Sequence, residues 1–278
     1  MTIAFLLYQK RTINWLVTLI FFAAMFLFDL TTTAINNYID SKDNGQILDF
    51  KRRNSLIIIY CLFAASAMLG LYLAYLTDVV VLLAGGACFL CGVLYTYGPL
   101  PISRQPLGEV FSGFFYGVMI PFILMYINSP QGTFLTYHFS FESIGFEVKI
   151  VPVITLILLS IAPFCTTANI MLANNICDLE KDITVHRHTL PYYIGKKALA
   201  LFAGLYYITY AATILMVVFN MLSPICLLSL FSIILVQKNI RLFYKKQDKA
   251  TTFICAIKNF VIIMGTNTIV IILSVLFS

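Results

Sequence analysis

Charged residues are scarce in this sequence of 278 residues, where they make up 11% of the chain against 60% hydrophobic residues. A soluble globular domain carries about a quarter charged residues. Such a composition excludes an ordinary soluble domain, because the chain could not cover itself with polar surface in water. We therefore expect a multi-pass protein of the cell membrane with the lipid bilayer as its surroundings, and no nucleic-acid partner.

Histidine is also scarce, with three residues, and most of the seven cysteines lie inside apolar runs. Cys88 and Cys91 have Cys-x-x-Cys spacing, but neither a second pair nor a histidine lies near them in the sequence. A zinc site of that type needs further ligands. The cysteines are therefore interpreted as small buried hydrophobic residues.

Long apolar runs dominate what remains, and each is long enough to suggest a helix crossing a bilayer. Residues 1–9 are apolar but too short to span. We expect an all-α fold, a polytopic transmembrane helical bundle of about eight spans, forming one domain over 1–278 with two pseudo-repeated halves, roughly 1–127 and 150–278. The predicted spans are about 13–39, 55–77, 79–97, 107–127, 150–177, 197–219, 222–243 and 252–277.

The loops alternate in charge along the chain. Four of them carry Lys or Arg, namely 40–53, 98–106, 178–197 and 238–249, whereas the three connections between them carry neither. Cytoplasmic loops of membrane proteins are enriched in Lys and Arg. The pattern predicts that the four basic loops face the cytoplasm, with Lys10-Arg11 as the exception.

An Asn-Asn-x-x-Asp motif occurs twice, each time at the end of an apolar run. The first copy is Asn36-Asn37-Tyr38-Ile39-Asp40, followed by Asp43, and the second is Asn174-Asn175-Ile176-Cys177-Asp178, followed by Asp182. With Glu180, these stretches hold five of the twelve acidic residues. Residues four apart share one helical face, so Asn36 lies above Asp40, and Asn174, Asp178 and Asp182 form one row.

Two facing rows of carboxylates repel each other unless a cation neutralises them, and magnesium prefers oxygen ligands together with phosphates. We therefore expect the two motifs to face each other and to hold Mg²⁺ on a diphosphate. The expected metal ligands are Asn36, Asp40, Asp178 and Asp182.

Basic residues beside the motifs would suit a phosphate group. Lys42, Arg104, Lys181 and Arg187 lie in the same loops. For each of them alone, the general excess of Lys and Arg on the cytoplasmic side is an alternative explanation. Asp29 lies deeper on the row of the first motif, where it either joins the site or holds helices together.

A third unusual stretch reads Tyr95-Thr96-Tyr97-Gly98-Pro99-Leu100-Pro101-Ile102, followed by Leu107-Gly108-Glu109. Tyr95 and Tyr97 either contact a planar aromatic substrate or belong to the aromatic belt at the membrane surface. Glu109 opens the next helix, where a negative charge suits the helix N-terminus.

Together, these three stretches and Thr189-Leu190 resemble the UbiA superfamily of intramembrane aromatic prenyltransferases, most closely its menaquinone branch. The resemblance implies magnesium, a polyprenyl diphosphate donor, and an aromatic quinone precursor, 1,4-dihydroxy-2-naphthoate, as acceptor. It also implies nine spans around a central cavity open to the cytoplasm. Asp40, Asp178 and Asp182 would be catalytic, and the expected substrate-binding residues are Asn36, Asn37, Lys42, Asp43, Tyr95, Tyr97, Arg104, Glu109, Asn174, Asn175, Lys181 and Arg187.

Some features depart from the family pattern. Asn44 stands where many relatives have Asp or Gly, and Arg187-His188 precedes Thr-Leu in place of a Gly-Lys-Arg-like lead. Eight spans are expected instead of nine, with residues 1–9 as the tail of the first. The alternatives are prenyl transfer to another ring (4-hydroxybenzoate or haem), an ion-coupled transporter, and a non-catalytic truncated remnant.

Overall fold

The computed structural model describes residues 1–43, 50–97 and 101–277, and these are almost entirely helical. The predicted all-α class is confirmed. A π-helical turn, Phe115–Met119, joins α5 to α6, and a 3₁₀ helix, Pro224–Ser232, leads into α11. The α-helices are α1 Thr2–Tyr8, α2 Trp15–Asp43, α3 Arg52–Leu76, α4 Val79–Thr96, α5 Gly108–Phe114, α6 Ile120–Ile127, α7 Ile150–Cys177, α8 Leu179–Thr184, α9 Leu190–Ile194, α10 Lys197–Val218, α11 Ile233–Lys245 and α12 Ile254–Leu276.

Seven helical segments in the described part of the chain are long and apolar enough to cross a membrane, and Val79–Tyr95 is a shorter apolar helix. These eight segments correspond one to one to the predicted spans. Helix α2 has 29 residues, which at about 1.5 Å per residue exceeds the hydrocarbon core of about 30 Å. Its last turns, which carry the first Asn-Asn-x-x-Asp motif, can therefore extend beyond that core.

A β-hairpin interrupts the helical pattern between α6 and α7, and sequence reasoning did not predict it. Strand β1, Leu135–Phe139, pairs antiparallel with β2, Ile144–Val148. The hairpin is tied to the start of α7, because the backbone N–H of Lys149 donates to the carbonyl of Phe134 at 2.8 Å.

The chain forms two compact units, Asn14–Ser103 and a second unit made of Met1–Ile13 with Arg104–Ser278. In the smaller unit, α2 packs along α3, and Phe28 of α2 stacks on Phe89 of α4 with 4.1 Å between ring centroids. The single domain with two pseudo-repeated halves stays a prediction.

The core of the larger unit is built from α7, α10, α11 and α12. Phe202, Tyr206, Ile240 and Phe243 are fully buried there. Helix α1 belongs to this unit as well, with Phe5 completely buried. The residues preceding the first predicted span are thus a packed helix.

Close approach between two spans of the larger unit depends on glycine. A Cβ atom on Gly117, in the π-helical turn, would lie 2.3 Å from the backbone N and Cα of Phe164 in α7. Gly113, one turn earlier, faces the same residue, and Pro163 lies next to it inside α7. Small residues four apart commonly permit such contact in membranes. This contact brings α5, which carries Glu109, against α7, which carries the second motif.

Candidate active site

The second Asn-Asn-x-x-Asp motif lies where α7 passes into α8. Helix α7 ends at Cys177, and Asp178 caps it and precedes α8, so the continuous helix expected from the spacing is interrupted at Asp178. The i to i−4 hydrogen bonds nevertheless continue: the N–H of Asp178 donates to the Asn174 carbonyl at 3.0 Å, and that of Asp182 to the Asp178 carbonyl at 2.8 Å. The backbone thus keeps the predicted helical spacing of Asn174, Asp178 and Asp182 across the boundary between α7 and α8.

A lysine absent from the sequence-based site joins two of these side chains. Lys249 Nζ lies 2.7 Å from Asp178 Oδ2 and also donates to Asn174 Oδ1. Lys249 comes from the segment between α11 and α12. The basic loop that contains it was recognised in the sequence, but nothing there distinguishes Lys249 from its four basic neighbours.

Asp182 is the more deeply buried carboxylate of the motif, with 4% of the residue exposed. Arg187 Nη1 lies 3.7 Å from Asp182 Oδ1, and the Arg187 backbone N–H donates to the Asp182 carbonyl at 2.9 Å. Among the described residues, Asp182 Oδ2 is buried without a hydrogen-bond partner. The structure thus brings Asp182 and Arg187 together and leaves one Asp182 carboxylate oxygen without a hydrogen-bond partner among the described residues, whereas the phosphate-binding role of Arg187 stays a prediction.

Burial raises the pKa of the Asp182 carboxyl group above its ordinary value, and the negative charge of Asp178 acts in the same direction. The positive charges of Arg187, Lys249 and Lys181 oppose this rise, and the net direction is upward. A buried carboxylate beside a second one is disfavoured in its charged form. Further positive charge at this place would therefore stabilise the ionised pair.

Asn175, also part of the motif, contacts a helix of the same unit. Its Nδ2 donates to Glu109 Oε1 at 2.9 Å, and both residues are buried, at 1% and 4% exposure. Glu109 lies in the first turn of α5, and the charge of Arg187 acts on it. Sequence reasoning named all three residues without predicting this contact. The bond ties the last turn of α7 to α5 and so helps to fix the direction of the motif.

The first motif lies at the end of α2 in the smaller unit. Asn36 is half-buried, Asn37 is exposed, and Tyr38 is held by Arg52 of α3. Arg52 Nε donates to the Tyr38 hydroxyl at 3.0 Å, and its guanidinium carbon lies 4.3 Å from the ring centroid. This contact joins the motif-bearing end of α2 to the start of α3.

Some expected site residues are placed only in part. The last turn of α2 carries three of them, whose side chains lie outside what the structure describes: Asp40, Lys42 and Asp43. The expectation that the two motifs face each other stays a prediction.

The remaining expected site residues lie around the Tyr-Gly-Pro stretch and in α8. Tyr95 is half-buried, whereas Tyr97, Arg104 and Lys181 are exposed. Residues 98–100 of the stretch, like Asn44, lie outside the described residues. The aromatic-acceptor role of the two tyrosines stays a prediction.

The side chains of the second motif suit magnesium. They offer two carboxylates and an amide oxygen, and Asp182 Oδ2 is one oxygen that needs a partner. Within the described part of the chain, no cluster of three or more His, Cys, Asp or Glu forms a complete metal site. Mg²⁺ commonly binds through one or two carboxylates and completes its shell with water and substrate phosphates. The donors therefore fit a magnesium ion shared with a phosphate substrate.

Comparison with known proteins agrees with the helical fold. The chain is 28% identical over 222 residues to the 1,4-dihydroxy-2-naphthoate octaprenyltransferase of Bacillus subtilis (strain 168), in a match covering 74% of this chain and 65% of that protein. The chain thus matches slightly less than two thirds of the length of this curated relative.

Solved structures show the same fold. A digeranylgeranylglyceryl phosphate synthase has a TM-score of 0.68 at 17% identity, covering 99% of this chain and 91% of its own. A UbiA homologue from Aeropyrum pernix K1 has a TM-score of 0.67 at 18% identity, covering 96% and 95%. A UbiA homologue from Archaeoglobus fulgidus, bound to DMAPP and Mg²⁺, has a TM-score of 0.58 at 15% identity, covering 96% and 93%. The sequence model of the UbiA prenyltransferase family matches residues 1–261, and the chain therefore belongs to this family.

Proposed function

We propose that this protein transfers a polyprenyl chain from its diphosphate to an aromatic acceptor, 1,4-dihydroxy-2-naphthoate, with the help of Mg²⁺. One observation carries the proposal: Asn174, Asp178 and Asp182 lie in consecutive turns, flanked by the cations Lys249 and Arg187. Membership of the UbiA prenyltransferase family and the similarity to the Bacillus subtilis enzyme support the reaction class and the acceptor. The magnesium-bound homologue from Archaeoglobus fulgidus supports the metal.

In this proposal the residues of the second motif hold the diphosphate through the metal. The carboxylates of Asp178 and Asp182 and the amide oxygen of Asn174 would bind Mg²⁺, and Asp40 would add a carboxylate from the first motif. Bound magnesium supplies positive charge that neutralises the diphosphate leaving group. Arg187, and Lys181 from the surface of α8, would add hydrogen bonds to its oxygens.

The reaction then breaks the bond between the allylic carbon and the diphosphate oxygen. The electron pair leaves with the diphosphate, and the resulting allylic cation is attacked by the electron-rich ring, which loses carbon dioxide and yields the hydroquinone form of demethylmenaquinone. Water would quench such a cation, so the apolar helices around the site must exclude it. The isoprenoid tail would lie in the bilayer. The loops carrying the motifs would face the cytoplasm, in line with their Lys and Arg content.

Purified protein in detergent or lipid tests the proposal. It is supplied with Mg²⁺, a polyprenyl diphosphate and 1,4-dihydroxy-2-naphthoate, and the product mass is determined. We expect Asp178→Ala and Asp182→Ala to lower turnover by at least about a hundredfold, since each removes a charge-stabilising group at the leaving site. Glu180→Ala is the matched control, because Glu180 is an exposed acid of the same helix α8.

Two results would contradict the proposal. Full magnesium-dependent turnover by Asp178→Ala or Asp182→Ala would remove the second motif from the reaction. A product formed only from 4-hydroxybenzoate or another ring would keep the prenyl transfer and replace the acceptor.

A further inference from the structure

Lys249 has contacts that the proposed function does not by itself explain. Its ammonium group binds Asp178 Oδ2 at 2.7 Å and also donates to Asn174 Oδ1, and it lies 5.0 Å from the ring centroid of Phe253. Asn174 and Asp178 are the two residues that open and close the Asn-Asn-x-x-Asp motif. The loop between α11 and α12 thus delivers a positive charge to the second motif from a distant part of the sequence.

The loop is built to hold Lys249 in this place. The carboxyl group of Asp248 accepts hydrogen bonds from the Thr251 N–H at 2.8 Å and the Thr251 hydroxyl at 2.6 Å, and these bonds lower the pKa of Asp248. The Thr252 hydroxyl donates to the Lys246 carbonyl at 2.9 Å. These local bonds fix the turn on both sides of Lys249 without involving its side chain.

Two lysines of the loop have different partners. Lys246 Nζ lies 3.3 Å from Asp248 Oδ2 and is mostly exposed, with 66% of its side chain accessible. Lys249, in contrast, reaches across to α7. The excess of basic residues in a cytoplasmic loop explains Lys246 but gives no reason for the direction of Lys249.

An oxygen that accepts a hydrogen bond from an ammonium group is not free to bind a divalent cation in the same direction. Lys249 therefore occupies oxygens that the proposed function assigns to Mg²⁺. The Lys249 side chain is 46% exposed, and four flexible methylene groups connect its ammonium group to the backbone. The ammonium group can therefore move a few ångströms at low cost. A diphosphate bound beside the metal offers it several anionic oxygens.

We propose that Lys249 is an exchangeable cation of the diphosphate site. Without the metal it neutralises Asp178 and donates a hydrogen bond to Asn174, and it moves to the diphosphate when Mg²⁺ binds these two residues. The inference depends on the proposed function, since it needs a metal and a diphosphate at the second motif. Lys249 then competes with Mg²⁺ when no diphosphate is present, and it strengthens the binding of the diphosphate together with Mg²⁺.

This competition gives two effects of opposite sign that can be measured without turnover. Purified protein is titrated with Mn²⁺ alone, followed by electron paramagnetic resonance of the free ion, and with inorganic pyrophosphate in the presence of Mg²⁺, followed by calorimetry. We expect Lys249→Met to bind Mn²⁺ roughly tenfold more tightly, because it removes a competing positive charge, and pyrophosphate roughly tenfold more weakly, because it removes a charged hydrogen bond.

Three variants complete the design. Lys246→Met removes the same charge from the same loop and is expected to match the wild type in both titrations. Lys249→Arg keeps the charge and is expected to bind pyrophosphate within about threefold of the wild type, in line with the charge being retained. Asp178→Ala is expected to weaken Mn²⁺ binding, and thermal unfolding of every variant checks that it is folded.

The outcomes separate this inference from the proposed function. If the wild type binds Mn²⁺ and pyrophosphate, Asp178→Ala loses Mn²⁺, and Lys249→Met behaves as the wild type or weakens both ligands, the exchange is refuted and the proposed function stands. If the folded wild type binds neither ligand, or Asp178→Ala binds Mn²⁺ unchanged, the metal site itself is refuted, and the role of Lys249 with it.

Discussion

The hydrogen bond between Asn175 and Glu109 predicts an asymmetric response to mutation. The bond joins the last turn of α7 to the first turn of α5, with a length of 2.9 Å and almost no exposure of either residue. Removing Asn175 leaves a carboxyl group buried without its donor, whereas removing Glu109 leaves a neutral amide. A buried carboxyl group is the more costly of the two to leave unpaired.

The size of the effect follows from the surroundings of the bond. Hydrogen bonds between transmembrane helices contribute about 0.6 kcal/mol on average and up to about 1.7 kcal/mol. Leaving a buried carboxyl group without its hydrogen-bond donor costs more, about 2–3 kcal/mol. We expect Asn175→Ala to lower the free energy of unfolding by about 2–3 kcal/mol and Glu109→Ala by about 1 kcal/mol. Adding Glu109→Gln to Asn175→Ala should recover roughly 1 kcal/mol, since it replaces the unpaired carboxyl by an amide.

Thermal unfolding followed with a thiol-reactive fluorophore measures this difference. The buried thiols of Cys165, Cys226 and Cys255 become accessible on unfolding, whereas the exposed Cys61 and the half-buried cysteines are first replaced by Ser, namely Cys88, Cys91 and Cys177. A change of 1 kcal/mol shifts the midpoint by about 2–4 °C in a protein of this size. Thr166→Ala is the control, because Thr166 is also buried, and its hydroxyl donates at 2.7 Å to the carbonyl of Ala162 within its own helix α7.

The reasoning is refuted if Glu109→Ala destabilises the protein more than Asn175→Ala. It is equally refuted if Asn175→Ala costs no more than Thr166→Ala, because the bond between α7 and α5 would then contribute no more than a bond within one helix. A failure of the Glu109→Gln rescue would show that the unpaired carboxyl group is not the source of the cost.

Two further predictions concern packing and charge. Gly117→Ala should lower the free energy of unfolding by about 1–3 kcal/mol, because its Cβ would overlap the Phe164 backbone. Gly204→Ala in α10 should be neutral or slightly stabilising in thermal unfolding, because the new Cβ would have no described atom within 4 Å apart from its chain neighbours and the nearby backbone of its own helix. Asp182→Asn should raise the unfolding midpoint at pH 8 without Mg²⁺. The pKa of Asp182 is raised in the folded protein, so its ionised carboxyl group destabilises the fold at this pH. Each tenfold increase in proton affinity on folding corresponds to about 1.4 kcal/mol of lost stability. Its advantage should shrink as the pH falls, since the folded wild type then takes up a proton more readily than the unfolded chain and gains stability.

Each of these predictions has a clear contrary result. Equal unfolding midpoints for Gly117→Ala and Gly204→Ala would mean that the π-helical turn and α7 can move apart at no cost in stability. A lower midpoint for Asp182→Asn than for the wild type at pH 8 would mean that the ion pair with Arg187 outweighs the burial of the carboxyl group.

The membrane-spanning helices could be predicted because their signal is composition over a fixed length. A bilayer requires about 20 apolar residues per helix, so each run identifies a span without reference to the rest of the chain. The joint at Asp178 and the π-helical turn at Phe115–Met119 could not be predicted in the same way. The π-helical turn packs Gly117 against the backbone of Phe164 in α7, and Asp178 pairs with Lys249 from the segment between α11 and α12. The hydrophobicity of a run contains no information on either contact.

The hairpin of β1 and β2 was missed for a different reason. Its strands have five residues each, and the alternation of polar and apolar residues is too short to stand out from a loop. Ser140 and Ser143 close the turn, with the Ser140 N–H donating to the Ser143 carbonyl at 2.9 Å. Serine is common in turns but does not by itself specify a hairpin.

Lys249 shows where sequence reasoning about this site ends. Lysine in the loop between α11 and α12 is expected from the general excess of Lys and Arg in cytoplasmic loops, and equally from a role in binding an anionic group, so the residue type does not separate the two explanations. Asp248 and Thr251 form a local turn, in which the Thr251 N–H donates to the Asp248 carboxyl group at 2.8 Å. The turn does not determine which way Lys249 points, because its partner Asp178 is 71 residues away in the sequence. The packing of α12 against α7 in one unit brings Lys249 and Asp178 together. Lys249 therefore differs from Lys246 in its distance from Asp178, and the number of charges in the loop does not reveal this difference.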